Sequence, residues 1–357
     1  METRRPLTLE EVARQAGVSK TTASVVLNGR AEQVRISEAT RDRVVAVANE
    51  LGYVPDHAAR SLRRRSTGII TVLLWRLGSP FFSEIAAGVG EVAGERDYEV
   101  SVIDAHDLEA ELRALQHLRQ GSADGVIIAV NRRQAVGAAF DSLLMLMQRR
   151  LPVVILLDHS PHPSIPSLRV DDFGGGYIAT KHLISLGHRR IGHLTWDDVP
   201  LVTDEPDAGN ARYCGYRHAL KEAGITFDPA WVTQGPRGTT GGIELARRFV
   251  AEHPDLATRP TAVFATNDLI AIAAMRGFHE AGVRVPHDLA VVGFHGVELG
   301  TLTIPSLTTV ELGSTELGRL GAELLFSLLD GTDPVEPERV LPVRLVVRES
   351  CGSGLPR

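Results

Sequence analysis

At 357 residues, 43% of them hydrophobic, and with a net charge of −6, the chain is long enough to bury two or three cores and has the balance of an ordinary globular protein. Its two cysteines, Cys214 and Cys351, exclude a disulfide framework, and the lack of a signal-peptide pattern or of the roughly 20 apolar residues that span a bilayer predicts a cytoplasmic protein without a membrane role. Residues 1–66 carry 12 Lys and Arg against 8 Asp and Glu, whereas the remainder carries 26 against 36, so a head of net +4 precedes a body of net −10.

The head reads as three short helices. In "LTLEEVARQAG", Leu9, Val12, Ala13 and Ala16 recur on one helical face, and Thr8 with Glu11 forms a capping box. Gly17 supplies a turn, and Ser19 caps a second helix whose buried stripe is Val18, Ala23, Val26 and Leu27, which leaves Lys20, Thr21, Ser24 and Val25 facing out. A third helix, capped by Ser37 and packed through Val44, Val47, Ala48 and Leu51, ends at Gly52 before Pro55. Spacing alone fits a plain bundle as well as a helix-turn-helix module. The outer face favours the module: it carries short polar side chains and no acid between Val18 and Gly29, as a helix entering the major groove requires. One such module makes few contacts, so a homodimer on a pseudo-palindromic duplex is expected. "RSLRRRS", at the change of composition, reads either as a solvated linker or as a phosphate-contacting segment.

From residue 67 short apolar runs ("GIITVLLW", "YEVSVID", "DGVIIAV", "PVVILLD", "RIGHLTW", "TAVFATND", "LAVVGFHG") alternate with helical segments such as 83–96, 108–120, 174–187, 211–224, 240–252 and 268–281. This alternation predicts parallel sheets with helices on both faces, and the length predicts two doubly wound lobes with a ligand cleft between them.

The stretches "LTLEEVARQAGVSKTTASVVLNG" and "ISEATRDRVVAVANELGYVPDHAARSLRRRSTGII" resemble the headpiece and hinge of the LacI/GalR (lactose-repressor) family of bacterial transcription regulators. "SPFFSEIAAGVGEVAGERDYEV", "HLISLGHRRIGHL", "ARYCGYRHAL", "ATNDLIAIAAMRGFHEAGVRVPHDLAVVGF" and "LTTVELGSTELG" resemble its effector-binding core, akin to periplasmic sugar-binding proteins. The resemblance implies a small all-α helix-turn-helix headpiece (1–54), a hinge helix (55–66) and an α/β core (67–350). The core would comprise two doubly wound parallel-sheet lobes, one of about 67–165 and 295–327, the other of about 166–292 and 330–350. It further implies that Lys20, Thr21 and Val25 read bases, and that Thr8, Ser19, Thr22, Ser24 and Asn28 contact or orient the phosphate backbone. Leu62, with Ala59 beside it, would wedge into the minor groove at the central base step. Val25 departs from the Arg or His common in the family and suits a thymine methyl instead.

The same resemblance places Phe81, Phe82, Asp158, Arg212, Arg237, Asn267 and His295 around the effector. For Phe81 and Phe82 core packing is an equal reading, and Asp158 serves equally as a loop cap. His295 stands where most relatives carry Asp, and Arg237 where many carry an aromatic. The exchange favours a sugar phosphate, sugar acid or similar anion, unless these two side chains pair with local acids such as those of "DDVPLVTDEPDAG". Gly174, Gly176 and Ala179, followed by Asp197, have a weak dinucleotide-binding spacing, and His182, His188 and His193 fall on different elements and do not converge on a metal. No cofactor and no catalytic constellation is expected. The reading is a transcription regulator, most often a repressor in this family, with double-stranded operator DNA and a small-molecule effector as partners; a solute-binding protein or an α/β enzyme with the same core is the alternative.

Overall fold

The computed structural model describes residues 7–27, 34, 36–53, 66–130, 137–197, 199, 210–236, 239–332 and 336–354. The chain divides into two compact units between Thr67 and Gly68. The hinge segment with Ala59 and Leu62, Asn28, Arg237 and residues 200–209 lie outside the described residues.

The first unit holds α1 (Leu9–Gln15), α2 (Lys20–Leu27) and α3 (Glu38–Leu51). Thr8 and Glu11 form the expected capping box, Thr8 N–H donating to Glu11 Oε2 at 2.7 Å and Glu11 N–H to Thr8 Oγ1 at 3.4 Å. Ser19 Oγ accepts from Thr22 N–H at 3.0 Å, so α2 starts where its cap predicts. Gly17 and Gly52 have φ of 66° and 67°, the left-handed conformation that ends α1 and α3 sharply. Val12, Ala13, Ala16, Ala23, Val26, Val44 and Ala48 form the core of this unit, with Val18, Leu27, Val47 and Leu51 packed on it.

The second unit contains two six-stranded sheets. The first is built from β1 (Ile69–Leu74), β2 (Glu99–Asp104), β3 (Gly125–Ala129), β4 (Val153–Leu156), β5 (Ser167–Val170) and β11 (Glu338–Leu341), in the order β2-β1-β3-β4-β5-β11 and all parallel. The second takes β6 (Ile191–Trp196), β7 (Val232–Gly235), β8 (Ala262–Ala265), β9 (Ala290–His295), β10 (Thr308–Glu311) and β12 (Arg344–Val346) in the matching order β7-β6-β8-β9-β10-β12, with only β12 antiparallel. Each order reverses beside its first strand, and such switch points are where open α/β sheets bind ligands. The central strands "IITVLL", "GVIIA", "VVIL" and "AVFA" are apolar on both faces because helices cover both.

α4 (Pro80–Glu95) pairs with α11 (Ser314–Leu329) at the first sheet, whose other face is covered by α5 (Leu108–Leu118) and α6 (Ala138–Gln148). At the second sheet α7 (Asp172–Ser185) pairs with α8 (Ala211–Glu222), and α9 (Thr239–Glu252) with α10 (Asp268–Glu280). The α7–α8 contact is glycine on backbone in both directions. A Cβ on Gly176 would sit 2.1 Å from the Arg212 carbonyl oxygen, and one on Gly215 would sit 2.1 Å from that of Phe173. The glycine spacing that resembled a nucleotide motif thus lets two helices touch and holds the start of α8 in place.

Sheet membership moves the expected lobe limits. β5 belongs to the first sheet although its residues follow 165; β10 belongs to the second although it falls within 295–327; β11 belongs to the first although it falls within 330–350. The chain therefore crosses near 171, 312 and 342. These strands have only four residues each, too short for periodicity to assign them to a sheet.

Candidate functional site

On the first unit, Lys20 and Thr21 are exposed and Thr22 and Val25 half-buried, while α2 carries no acid. Lys20 Nζ lies 3.6 Å from Glu10, both side chains well exposed, a surface pair worth about 0–1 kcal/mol that yields readily to a phosphate. Ser24 departs from the expectation: it is 8% exposed. It sits about 100° round the helix from Ala23, next to the Leu27 edge of the buried stripe, so it turns inward and does not belong to the outer face. Thr8 and Ser19 are exposed, and their hydroxyls also serve as the caps described above.

In the second unit the expected effector residues fall at the carboxyl ends of the strands. Phe81 follows β1 at the start of α4, with Pro80 opening the helix; Asp158 follows β4; Arg212 opens α8 after β6; Asn267 follows β8; and His295 ends β9. Four strand ends converge directly. The Phe81 ring, from the first sheet's side, stacks on the His295 imidazole, from the second, with centroids 3.8 Å apart and planes 8° from parallel. Phe82 meets Phe81 edge-on at 5.0 Å. The Arg212 guanidinium lies 3.9 Å over the ring of Phe294, the residue before His295, and donates to the Asp172 carboxylate and the Thr266 carbonyl, both at 2.7 Å. Thr266 adjoins Asn267, whose Oδ1 accepts from Ile270 N–H at 2.8 Å and caps α10. Phe81 therefore serves the core and the junction at once, as a 2% exposed ring must. Asp158 Oδ1 accepts from His159 N–H at 2.7 Å, which caps its own loop.

Of the two cations expected to make the pocket basic, only His295 lies among the described residues, and its electrostatics differ from that expectation. Burial, with the Arg212 charge as a second cause, holds the His295 imidazole well below its ordinary range, so it is neutral at pH 7. Its ring stacks on Phe81. The Arg212 guanidinium is matched by the Asp172 carboxylate, 2.7 Å away and mostly buried with it. Sequence reasoning missed Asp172 and Phe294, which determine where the guanidinium points. The spacing that places Asp172 first on α7 was visible; its pairing with a residue forty positions later was not. His193, expected to hold no metal, is fully buried, with Nδ1 2.9 Å from the Phe264 carbonyl.

Residues 8–56 match the family described as "Bacterial regulatory proteins, lacI family", and residues 180–351 match the "Periplasmic binding protein-like domain". The transcriptional repressor PurR of Photobacterium profundum is 33% identical over 96% of this chain and 98% of its own length. The ribose operon repressor of Haemophilus influenzae is 32% identical over 97% and 99%. Among solved structures, the lac repressor dimer bound to operator and the anti-inducer ONPF superposes with a TM-score of 0.77 at 28% identity, covering 97% of this chain and 99% of that one. The regulator CelR in complex with cellobiose gives 0.68 at 32% identity, covering 97% and 100%. Among the described residues no helix is long and apolar enough to cross a membrane.

Proposed function

The chain belongs to the lacI family of bacterial regulatory proteins and is a dimeric DNA-binding transcription regulator controlled by a small-molecule effector, not an enzyme; on that premise we propose how it reads its operator and what it senses. Lys20, Thr21 and Val25 of α2 read base edges in the major groove, with Thr8, Ser19 and Thr22 on the phosphates. It acts in the cytoplasm, where its DNA is. The effector is a compact, uncharged, hydroxylated molecule that enters between Phe81 and His295. The observation that carries this reading is the stack itself: one ring is carried by α4 beside the first sheet and the other by β9 of the second, so a ligand between them changes the angle between the lobes and shifts the population that grips DNA. What supports neutrality is the neutral imidazole and the guanidinium paired with Asp172, neither of which offers an anion a spare positive charge.

The test is a thermal-shift screen of the full chain against ribose and cellobiose, other neutral sugars, sugar phosphates and sugar acids. A neutral sugar is expected to raise the melting temperature in the parent and not in His295→Ala, because only a ligand that binds the native state stabilises it. Stabilisation by anions alone would overturn the neutral-effector reading.

The dimer is seated, on this proposal, by the turn before β10. Ile304 is 98% and Leu302 75% exposed, beside a hollow of about 490 Å³ lined in part by Ile272, Met275 and Val283 of the same face. A projecting apolar side chain at the rim of a hollow that mixes Ile272, Met275 and Val283 with Arg276, His279 and Arg284 is self-complementary under a two-fold axis. Ile304→Asp is expected to convert dimer to monomer by light scattering and to weaken operator binding on the order of 100-fold through lost avidity. A variant that still weighs as a dimer would place the seat elsewhere.

A further inference from the structure

We infer that Asp268 is a positioning residue of the effector site, its buried carboxylate fixing the turn that carries His295 and so setting the face the cleft presents. The inference rests on the cleft reading above. Asp268 is the first residue of α10, directly after Asn267, and is 0% exposed. Oδ2 accepts from the N–H groups of Gly296 at 2.8 Å and Val297 at 2.9 Å, and Oδ1 accepts from the Thr309 hydroxyl at 2.5 Å. One side chain therefore joins the start of α10, the turn leaving β9, and β10.

What it holds is a strained point. His295 has a φ of 118° and Gly296 one of 79°; a non-glycine residue keeps such a backbone only where its surroundings over-determine it. The two N–H groups bound by Asp268 follow His295 immediately. The space is cut to fit the carboxylate as well: a Cβ on Gly293 would lie 2.2 Å from Asp268 Oδ1, and one on Gly296 would lie 2.8 Å from the Glu311 backbone. Without these bonds the turn relaxes, and His295 leaves the plane it shares with Phe81.

The carboxylate also has a cost that packing alone does not explain. Burial pushes it up to about 6 in spite of the three donors and the field of Arg348. Arg348 comes from the segment after β12 and itself donates to the Leu307 carbonyl at 2.7 Å. Of the other titratable groups packed here, His295 is neutral, Glu311 is paired with Arg344, Glu298 lies in the turn after Val297, and Glu84 of α4, its carboxyl raised by burial, accepts from the Glu298 N–H and so holds the far end of the same turn. A carboxyl whose folded value lies above its ordinary 3.8 makes the fold more stable as pH falls through that window and less stable as pH rises through it. Ionised Asp268 thus lowers stability at neutral pH, while its charge strengthens the two N–H bonds that hold the turn. Global stability and the order of the turn respond to its proton in opposite directions, which a merely structural role would not produce.

The experiment is amide hydrogen exchange of the full chain, corrected for intrinsic rates, at Gly296 and Val297 between pH 7.5 and pH 5, together with the ring resonance of labelled His295. In the parent, protection at the two amides is expected to fall about tenfold with a midpoint near pH 6, the His295 ring resonance moving in the same step. Amides in the middle of β9 are expected to stay constant. Asp268→Asn, an isostere of the protonated acid, should give low, pH-independent protection with an equal or higher melting temperature. A parent without the step, or an Asn variant protected like the parent, overturns the inference. The step is read in the unmodified chain, so a variant that fails to fold removes nothing from the test. No ligand is used, so failure here is separate from failure of the cleft reading, which the sugar screen decides.

Discussion

Arg212→Met is expected to abolish the melting-temperature rise given by the effector, weakening its binding by at least about 100-fold, while the headpiece still binds DNA. The guanidinium makes three contacts at once: the Asp172 carboxylate, the Thr266 carbonyl and the face of Phe294. Methionine fills the apolar part of that space but leaves Asp172 without its cation in a site where both side chains are less than one-fifth exposed. Removing one partner of such a pair costs about 2–4 kcal/mol, discounted for the remaining exposure. A second variant separates stability from recognition: Arg212→Met with Asp172→Leu removes both charges and should recover most of the lost melting temperature without recovering the effector response. Recovery of both by the double variant would show that Arg212 only holds helices together; an effector response intact in the single variant would show that Arg212 takes no part in recognition.

The headpiece was legible because its signals are local. Thr8 and Glu11 are three residues apart, Ser19 precedes its helix directly, and Val12, Ala13 and Ala16 recur within two turns, so short-range pattern and final structure coincide. Ser24 escaped because it lies at the margin of the stripe, where a few tens of degrees of rotation decide burial. In the body the long apolar strands declared the sheets. β5, β7, β10, β11 and β12 are as short as β4 and β8 or shorter but lack their continuous apolar run, so they carried too little pattern. That Asp158, Asn267 and His295 stand at strand ends was readable, but the charge state of His295 was not. Whether His295 is cationic depends on Phe81, more than two hundred residues earlier, and on the burial the two create together. Asp268 stood beside the expected Asn267, yet its partners Gly296, Val297 and Thr309 come together only when α10, β9 and β10 pack.

Deletion of residues 1–67 should reduce specific binding to the operator, selected from random duplexes with the parent protein, by at least about 10³-fold, while the effector still raises the melting temperature. The fold places no obstacle to this separation. The headpiece core of Val12, Ala13, Ala16, Ala23, Val26, Val44 and Ala48 contains only its own residues, and the unit from Gly68 to Arg357 retains both sheets and their helices. Charge points the same way, because the deletion removes a segment of net +4 and leaves one of net −10, so even the sequence-independent attraction to DNA becomes repulsion. Val44→Asp is the finer form of the same experiment. It places a carboxylate at a fully buried position of the headpiece, which should unfold that unit alone and remove operator binding as completely as the deletion does. Specific binding that survived in residues 68–357 would mean that the body reads DNA itself, and an effector response lost with the headpiece would mean that the two units fold as one.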